Sequence, residues 1–135
     1  MGGSMESNII AVYGTLRKGQ GNHKHFIKPW LKNRSVTYMG SYLEKGFTMS
    51  SNGGFPYVWE SSNNLSVAFE LYRVENPEVQ KELMLSLDYL EGYPDHYDRK
   101  IVTIGGWNAW TYLRKEATLP IILSGNWTSY QRSLV

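Results

Sequence analysis

One segment of this chain has the periodicity of a long helix, and strand-like runs flank it on both sides. Asn76 to Leu90 carries Val79, Leu83, Leu87 and Leu90 at helical spacing, which makes an apolar stripe. Asn76 is the predicted N-cap, and Pro77 takes the first helical position, where its missing N–H costs nothing. Glu78 lies in the first turn, the favourable end of the helix dipole for an acid. Gly92 and Pro94 end the helix. One amphipathic helix must bury its stripe against another kind of layer, so the strands around it decide the fold.

Ile9 to Tyr13 reads as a buried strand stopped by Gly14, and residues 15–22 as a loop. Asn22 is the predicted cap of a short helix through Leu31, with Phe26, Ile27, Trp30 and Leu31 on one side and Pro29 kinking or ending it. Ser35 to Leu43 reads as a strand, residues 50–54 as a turn, Phe55 to Trp59 as a short strand and Ser61 to Asn64 as the next turn. In Leu65 to Val74, Leu65, Val67, Phe69 and Leu71 alternate with polar residues. Arg99 to Ile104 and Trp107 to Leu113 are joined by Gly105-Gly106, a two-residue hairpin turn that needs positive φ. Ile121 to Leu123 is a last short strand. Five or six short strands with one good helix predict an α+β domain with a curved or closed sheet.

Composition narrows the function. Cysteine is absent, which excludes disulfides, thiolate nucleophiles and Cys-ligated zinc and fits a cytoplasmic location. The net charge of +2 and the lack of a dense basic run speak against a nucleic-acid partner. No apolar run approaches the roughly 18 residues of a membrane span. The start, Met1-Gly2-Gly3-Ser4-Met5, lacks the apolar core of a signal peptide and reads as a cloning remnant. Residues 1–7 are therefore set aside as an appended or disordered tail, and residues 8–130 are taken as a single domain.

Two features carry chemistry. At Tyr13-Gly14-Thr15-Leu16 a strand runs into a glycine turn that opens toward a helix, which points backbone N–H groups at one spot suited to an anion or oxyanion. A phosphate-loop reading fails because Gly19 is followed by Gln20 and Gly21, not by Lys-Ser or Lys-Thr. The second feature is Glu91, at the C-terminal end of the helix with Asp88 one turn earlier. Both the dipole and a negative neighbour should raise its pKa toward the range of a neutral-pH proton carrier. Tyr89, Tyr93 and Tyr97 surround it in sequence and are candidates to line a pocket. His23-x-His25 lacks a third ligand, so no metal site is expected. No Gly-x-Ser-x-Gly elbow is present.

Four segments in order resemble the γ-glutamylcyclotransferase-like superfamily, in particular its small bacterial and phage-type branch, which includes the γ-glutamylamine cyclotransferases. They are Val12 to Arg17 with Asn22-His23, Val67 to Val74, Leu87 to Pro94 with Tyr97 and Arg99, and Ser124-Gly125-Asn126-Trp127. Together they span about residues 8 to 128. Ala68 stands where that family often has glycine, and Asn126 where it often has aspartate.

The resemblance implies a small mixed β-barrel with flanking helices. It implies a pocket between the Tyr13–Leu16 loop and Glu91, with Tyr13, Gly14, Thr15, Leu16 and Tyr97 binding substrate and Glu91 as the catalytic proton carrier. The implied reaction is attack of a substrate α-amine on its own γ-glutamyl amide, releasing an amine or amino acid and 5-oxoproline. No cofactor is expected. A non-catalytic module binding a small acidic ligand is the alternative on the same fold. Phe47, Met49, Phe55, Tyr57 and Trp59 are candidates either for the leaving-group half of the pocket or for the core.

Overall fold

The computed structural model describes residues 7–134. The tail assigned to residues 1–7 lies outside the described residues except at Ser7. A five-stranded sheet forms the centre, ordered β2-β5-β1-β7-β6. Its strands are β1 (Ile9–Val12), β2 (Val36–Lys45), β5 (Ser66–Val74), β6 (Asp98–Ile104) and β7 (Trp107–Leu113). The remaining two, β3 (Phe47–Ser51) and β4 (Pro56–Glu60), make a separate antiparallel pair.

β1 is short and buried at every position because it lies in the middle of the sheet. It runs antiparallel to β5 and parallel to β7, so the sheet is mixed. Period-two alternation divides the core into two layers. Ile9, Ala11, Val67, Phe69 and Leu71 face the β3–β4 pair, where Phe47, Met49 and Val58 meet them. Ile10, Val12, Tyr72 and Val74 face the helices, where Ile27, Leu83, Met84 and Leu87 meet them.

The long helix α3 (Pro77–Glu91) follows its expected punctuation. The Asn76 side chain accepts from the N–H groups of Glu78 and Val79, and Gly92 closes the end at φ 68°. Leu83 and Leu87 of the stripe are fully buried. The helix expected over Asn22–Leu31 is instead two short ones, α1 (Gly21–Phe26) and α2 (Lys28–Lys32), with Pro29 at the start of the second. Gln20 occupies the N-cap of α1 without a side-chain bond. A last helix, α4 (Trp127–Ser133), is capped by Asn126, whose side chain accepts from the Ser129 N–H.

The expected barrel is not formed. β2 and β6 stand at opposite ends of the sheet order, and among the described residues no ladder joins them. What crosses that gap is a side chain: the Gly105 N–H donates to the Glu44 carboxylate at 2.8 Å. β2 also carries a register shift between Tyr38 and Gly40, so it does not present a regular edge to β6. The Gly105-Gly106 turn has the expected positive φ at both residues. The segment expected as a strand at Ile121–Leu123 makes one isolated bridge, Ser50 to Ile121. Among the described residues no helix is long and apolar enough to cross a membrane.

The C-terminal segment closes on the sheet at Gly125. Its φ is +62°, and a Cβ there would lie 1.8 Å from the Ser66 carbonyl oxygen. Its own carbonyl accepts from the Ala68 N–H at 2.8 Å. Gly125→Ala combines a left-handed backbone with a clash against a strand that cannot yield. We expect a loss of at least about 2 kcal/mol in urea unfolding, seen as a lower midpoint at unchanged m-value.

Candidate active site

The end of β1 becomes a loop in which the Gly14, Thr15 and Leu16 carbonyls are engaged. The Gly14 carbonyl accepts from the Arg17 N–H at 2.9 Å and the Thr15 carbonyl from the His23 N–H at 3.1 Å. The Leu16 carbonyl takes His23 Nδ1 at 3.0 Å. A carbonyl can only accept, so that bond fixes the proton of His23 on Nδ1. Asn22 leaves the capping role and donates to the Thr15 hydroxyl at 2.8 Å. By contrast, the N–H groups of Gly14, Thr15 and Leu16 have no acceptor among the described residues. Gly14 has no room for a side chain: a Cβ would lie 2.6 Å from Pro56 Cγ.

A buried ion pair anchors this loop. Glu70 lies on central strand β5, and its carboxylate accepts from Arg17 Nε at 3.0 Å, the Lys18 N–H at 2.7 Å and the Tyr72 hydroxyl at 2.9 Å. Arg17 and Glu70 are both buried. Arg17 Nη1 also donates to Asn126 Oδ1 at 3.0 Å, joining the loop to the cap of α4.

The loop and the end of α3 enclose a cavity of about 300 Å³. Tyr13, Gly14, Thr15, Leu16, Glu91 and Tyr97 all line it. Burial pushes the Glu91 carboxyl up from its ordinary 4.5 to about 7, with no charged or hydrogen-bonded partner offsetting it. Tyr13 donates to the Tyr112 carbonyl at 2.6 Å, and Tyr97 to the Pro56 carbonyl at 2.9 Å. Burial raises the pKa of both hydroxyls, and the Glu91 charge adds to the effect in each case.

These arrangements are accompanied by sequence relatives. The description "Gamma-glutamyl cyclotransferase, AIG2-like" matches residues 10–129. The chain belongs to the gamma-glutamyl cyclotransferase, AIG2-like family. MJ1514 of Methanocaldococcus jannaschii, which bears a provisional gamma-glutamylcyclotransferase name, is 35% identical over 127 residues, covering 90% of this chain and 97% of the relative. A Niallia circulans protein named gamma-L-glutamyl-butirosin B gamma-glutamyl cyclotransferase is 34% identical over 84 residues, covering 62% of this chain and 46% of its own. The fold matches PH0828 of Pyrococcus horikoshii with a TM-score of 0.72, at 22% identity, over 95% and 96% of the two chains. It matches ytfP of Escherichia coli with a TM-score of 0.64, at 27% identity, over 90% and 97%.

Within this gamma-glutamyl cyclotransferase fold, other sequence candidates fall elsewhere. Asp88 does not act on Glu91. It pairs with Arg99 at 3.1 Å and accepts from the Tyr112 hydroxyl at 2.6 Å, so burial alone lifts Glu91. Tyr89 is 90% exposed, and Tyr93 lies under the Arg99 guanidinium at 4.6 Å. Phe47 and Met49 are core, whereas Phe55 lines the cavity. Ala68 does not border the cavity. Sequence reasoning passed over Glu70, His96 and Tyr112. A carboxylate in the middle of an apolar strand was the available signal for Glu70, since it demands a buried partner.

Two measurements test these electrostatics. Glu70→Ala leaves the Arg17 charge buried and unpaired, so unfolding stability should fall by about 3–5 kcal/mol. A loss within the range of an ordinary surface substitution would remove the pair as an anchor. Ionising Glu91 is costly only in the folded chain. Its stabilising contribution is therefore complete below a pH of 4.5 and lost as the pH rises through about 7. Glu91→Gln should unfold like the parent at about pH 4 and be more stable by about 1–3 kcal/mol at about pH 8. An offset that is equal at both pH values would contradict the burial.

Proposed function

We propose that this chain is a cyclotransferase acting on γ-glutamyl amides of amines or amino acids, with Glu91 as its proton carrier. The observation that carries the reading is a carboxyl that burial lifts to about 7 in a cavity also lined by Gly14, Thr15 and Leu16, whose N–H groups have no acceptor among the described residues. The rest of the cavity is complementary to an amino-acid head group. The protons of Tyr13 and Tyr97 are spent on backbone carbonyls, so both hydroxyl oxygens are left to accept. With Glu91 they suit an α-ammonium. The N–H groups of Gly14, Thr15 and Leu16 suit the substrate carboxylate or the oxyanion that develops on its carbonyl.

The reaction then needs only geometry and a shuttle for the two protons that the α-ammonium gives up. Glu91 takes a proton from the α-ammonium, and the freed amine attacks the γ-carbonyl carbon of the same substrate. A C–N bond forms and closes the five-membered ring, with the carbonyl oxygen held as an oxyanion by the loop. Glu91 passes this first proton to the amide nitrogen and takes the second surplus proton from the ring nitrogen. The oxyanion collapses, the original amide C–N bond breaks, and that second proton leaves on the released amine. The products are 5-oxoproline and the amine, released in its ammonium form. The nucleophile belongs to the substrate, so holding it against the carbonyl supplies much of the rate.

The test is release of 5-oxoproline from a panel of γ-glutamyl amines and γ-glutamyl amino acids. Glu91→Gln should lower kcat by about 10²–10⁴-fold while remaining folded. For the parent, kcat/KM should rise with pH through an apparent pKa of about 7, because the base must be ionised. Parent-level turnover by a folded Glu91→Gln protein would remove Glu91 from the mechanism.

A further inference from the structure

The cavity has two ends of different chemistry. Glu91, Tyr13, Tyr97 and the Gly14–Leu16 loop, all buried or half-buried, make up the inner end, and they account for every group the cyclisation uses. Phe55 and His96 also line the cavity, yet both are exposed, Phe55 to 41%. The two rings meet edge to face at 6.3 Å. Behind them stands the buried ring of Tyr57, 5.2 Å from Phe55 and 6.4 Å from His96. Tyr57 is itself held from another side by the Arg114 guanidinium at 4.6 Å.

The exposed part of the Phe55 ring adds no burial to the fold and is free to meet a ligand. Here the backbone that carries it is also fixed. The Ser51 hydroxyl donates to the Phe55 carbonyl and accepts from the Gly53 N–H, each at 2.9 Å. None of the residues lining the cavity is a lysine or arginine, so the mouth offers a leaving group rings in place of a counter-charge. A substrate whose γ-carbonyl sits between Glu91 and the loop must extend its leaving amine toward the open end.

We propose that Phe55 and His96, backed by Tyr57, form a leaving-group subsite selective for amines that carry an aromatic body. This rests on the cyclotransferase reading above. Bound there, the aromatic body of the leaving amine packs edge-on or offset against Phe55 and His96. The subsite adds binding energy remote from the reacting carbonyl and does not touch the transferred protons.

The experiment compares γ-glutamyl-benzylamide with γ-glutamyl-methylamide, both followed by 5-oxoproline release. The parent should favour the benzylamide in kcat/KM by about tenfold or more. Phe55→Ala and His96→Ala should each lower the benzylamide value much more than the methylamide value, so that the ratio approaches one. Phe55→Tyr, which keeps the ring, should retain the preference. Equal turnover of the two amides by the parent overturns the subsite, as does a Phe55→Ala protein that loses both activities in the same proportion. If no 5-oxoproline forms from either amide, the cyclotransferase reading fails separately. The subsite is then judged on the dissociation constants of the same two amides. A benzyl preference that Phe55→Ala abolishes upholds it, and the absence of a preference overturns it.

Discussion

The Glu70–Arg17 pair is the interaction on which the site depends. A carboxylate on a central strand is expensive to bury, and it is tolerated because Arg17, the Lys18 N–H and the Tyr72 hydroxyl surround it. That requirement pulls the chain after β1 back over the sheet. The pull leaves the Gly14, Thr15 and Leu16 carbonyls engaged within the loop and their N–H groups unclaimed. Arg17 holds the Asn126 cap as well, so the first strand, a central strand and the last helix share one polar centre.

Placing Glu91 at the end of α3 works alongside this centre. Asp88 is drawn off by Arg99 and Tyr112, which leaves Glu91 with neither a cation to stabilise its charge nor a carboxylate to repel it. A carboxyl in that position responds to burial alone. The cavity thus separates two jobs. The loop supplies backbone dipoles and the helix supplies the Glu91 carboxyl. Neither requires the other's element to shift.

Much of this was legible in the sequence, where the governing rule was local. Asn76, Pro77 and Gly92 mark the boundaries of α3 because capping involves only neighbouring residues. Gly105-Gly106 marked its hairpin for the same reason. The failures were non-local. Alternation in a strand does not reveal its partner across the sheet, so the residues left the sheet curved or closed, and the barrel that the resemblance implied is not formed. β3 was not expected at all, and its last residues, Ser50 and Ser51, polar yet buried, read as part of a turn. Asp88 looked like a neighbour of Glu91 because its true partner, Arg99, sits on the following strand. α4 is only two turns long, and its one local sign was Asn126 before Trp127.

The closure at Gly125 has a consequence for how the protein comes into being. Asn126 and the Gly125 backbone that docks on β5 emerge from synthesis more than a hundred residues after Arg17. Until they do, the buried guanidinium lacks one of its acceptors and the β5 backbone lacks its cover. The order of translation therefore runs opposite to the order of need. The Gly14–Leu16 loop is made well before the last partner of its Arg17 anchor, and a nascent chain stalled before residue 125 would carry the loop without the contacts that close over it.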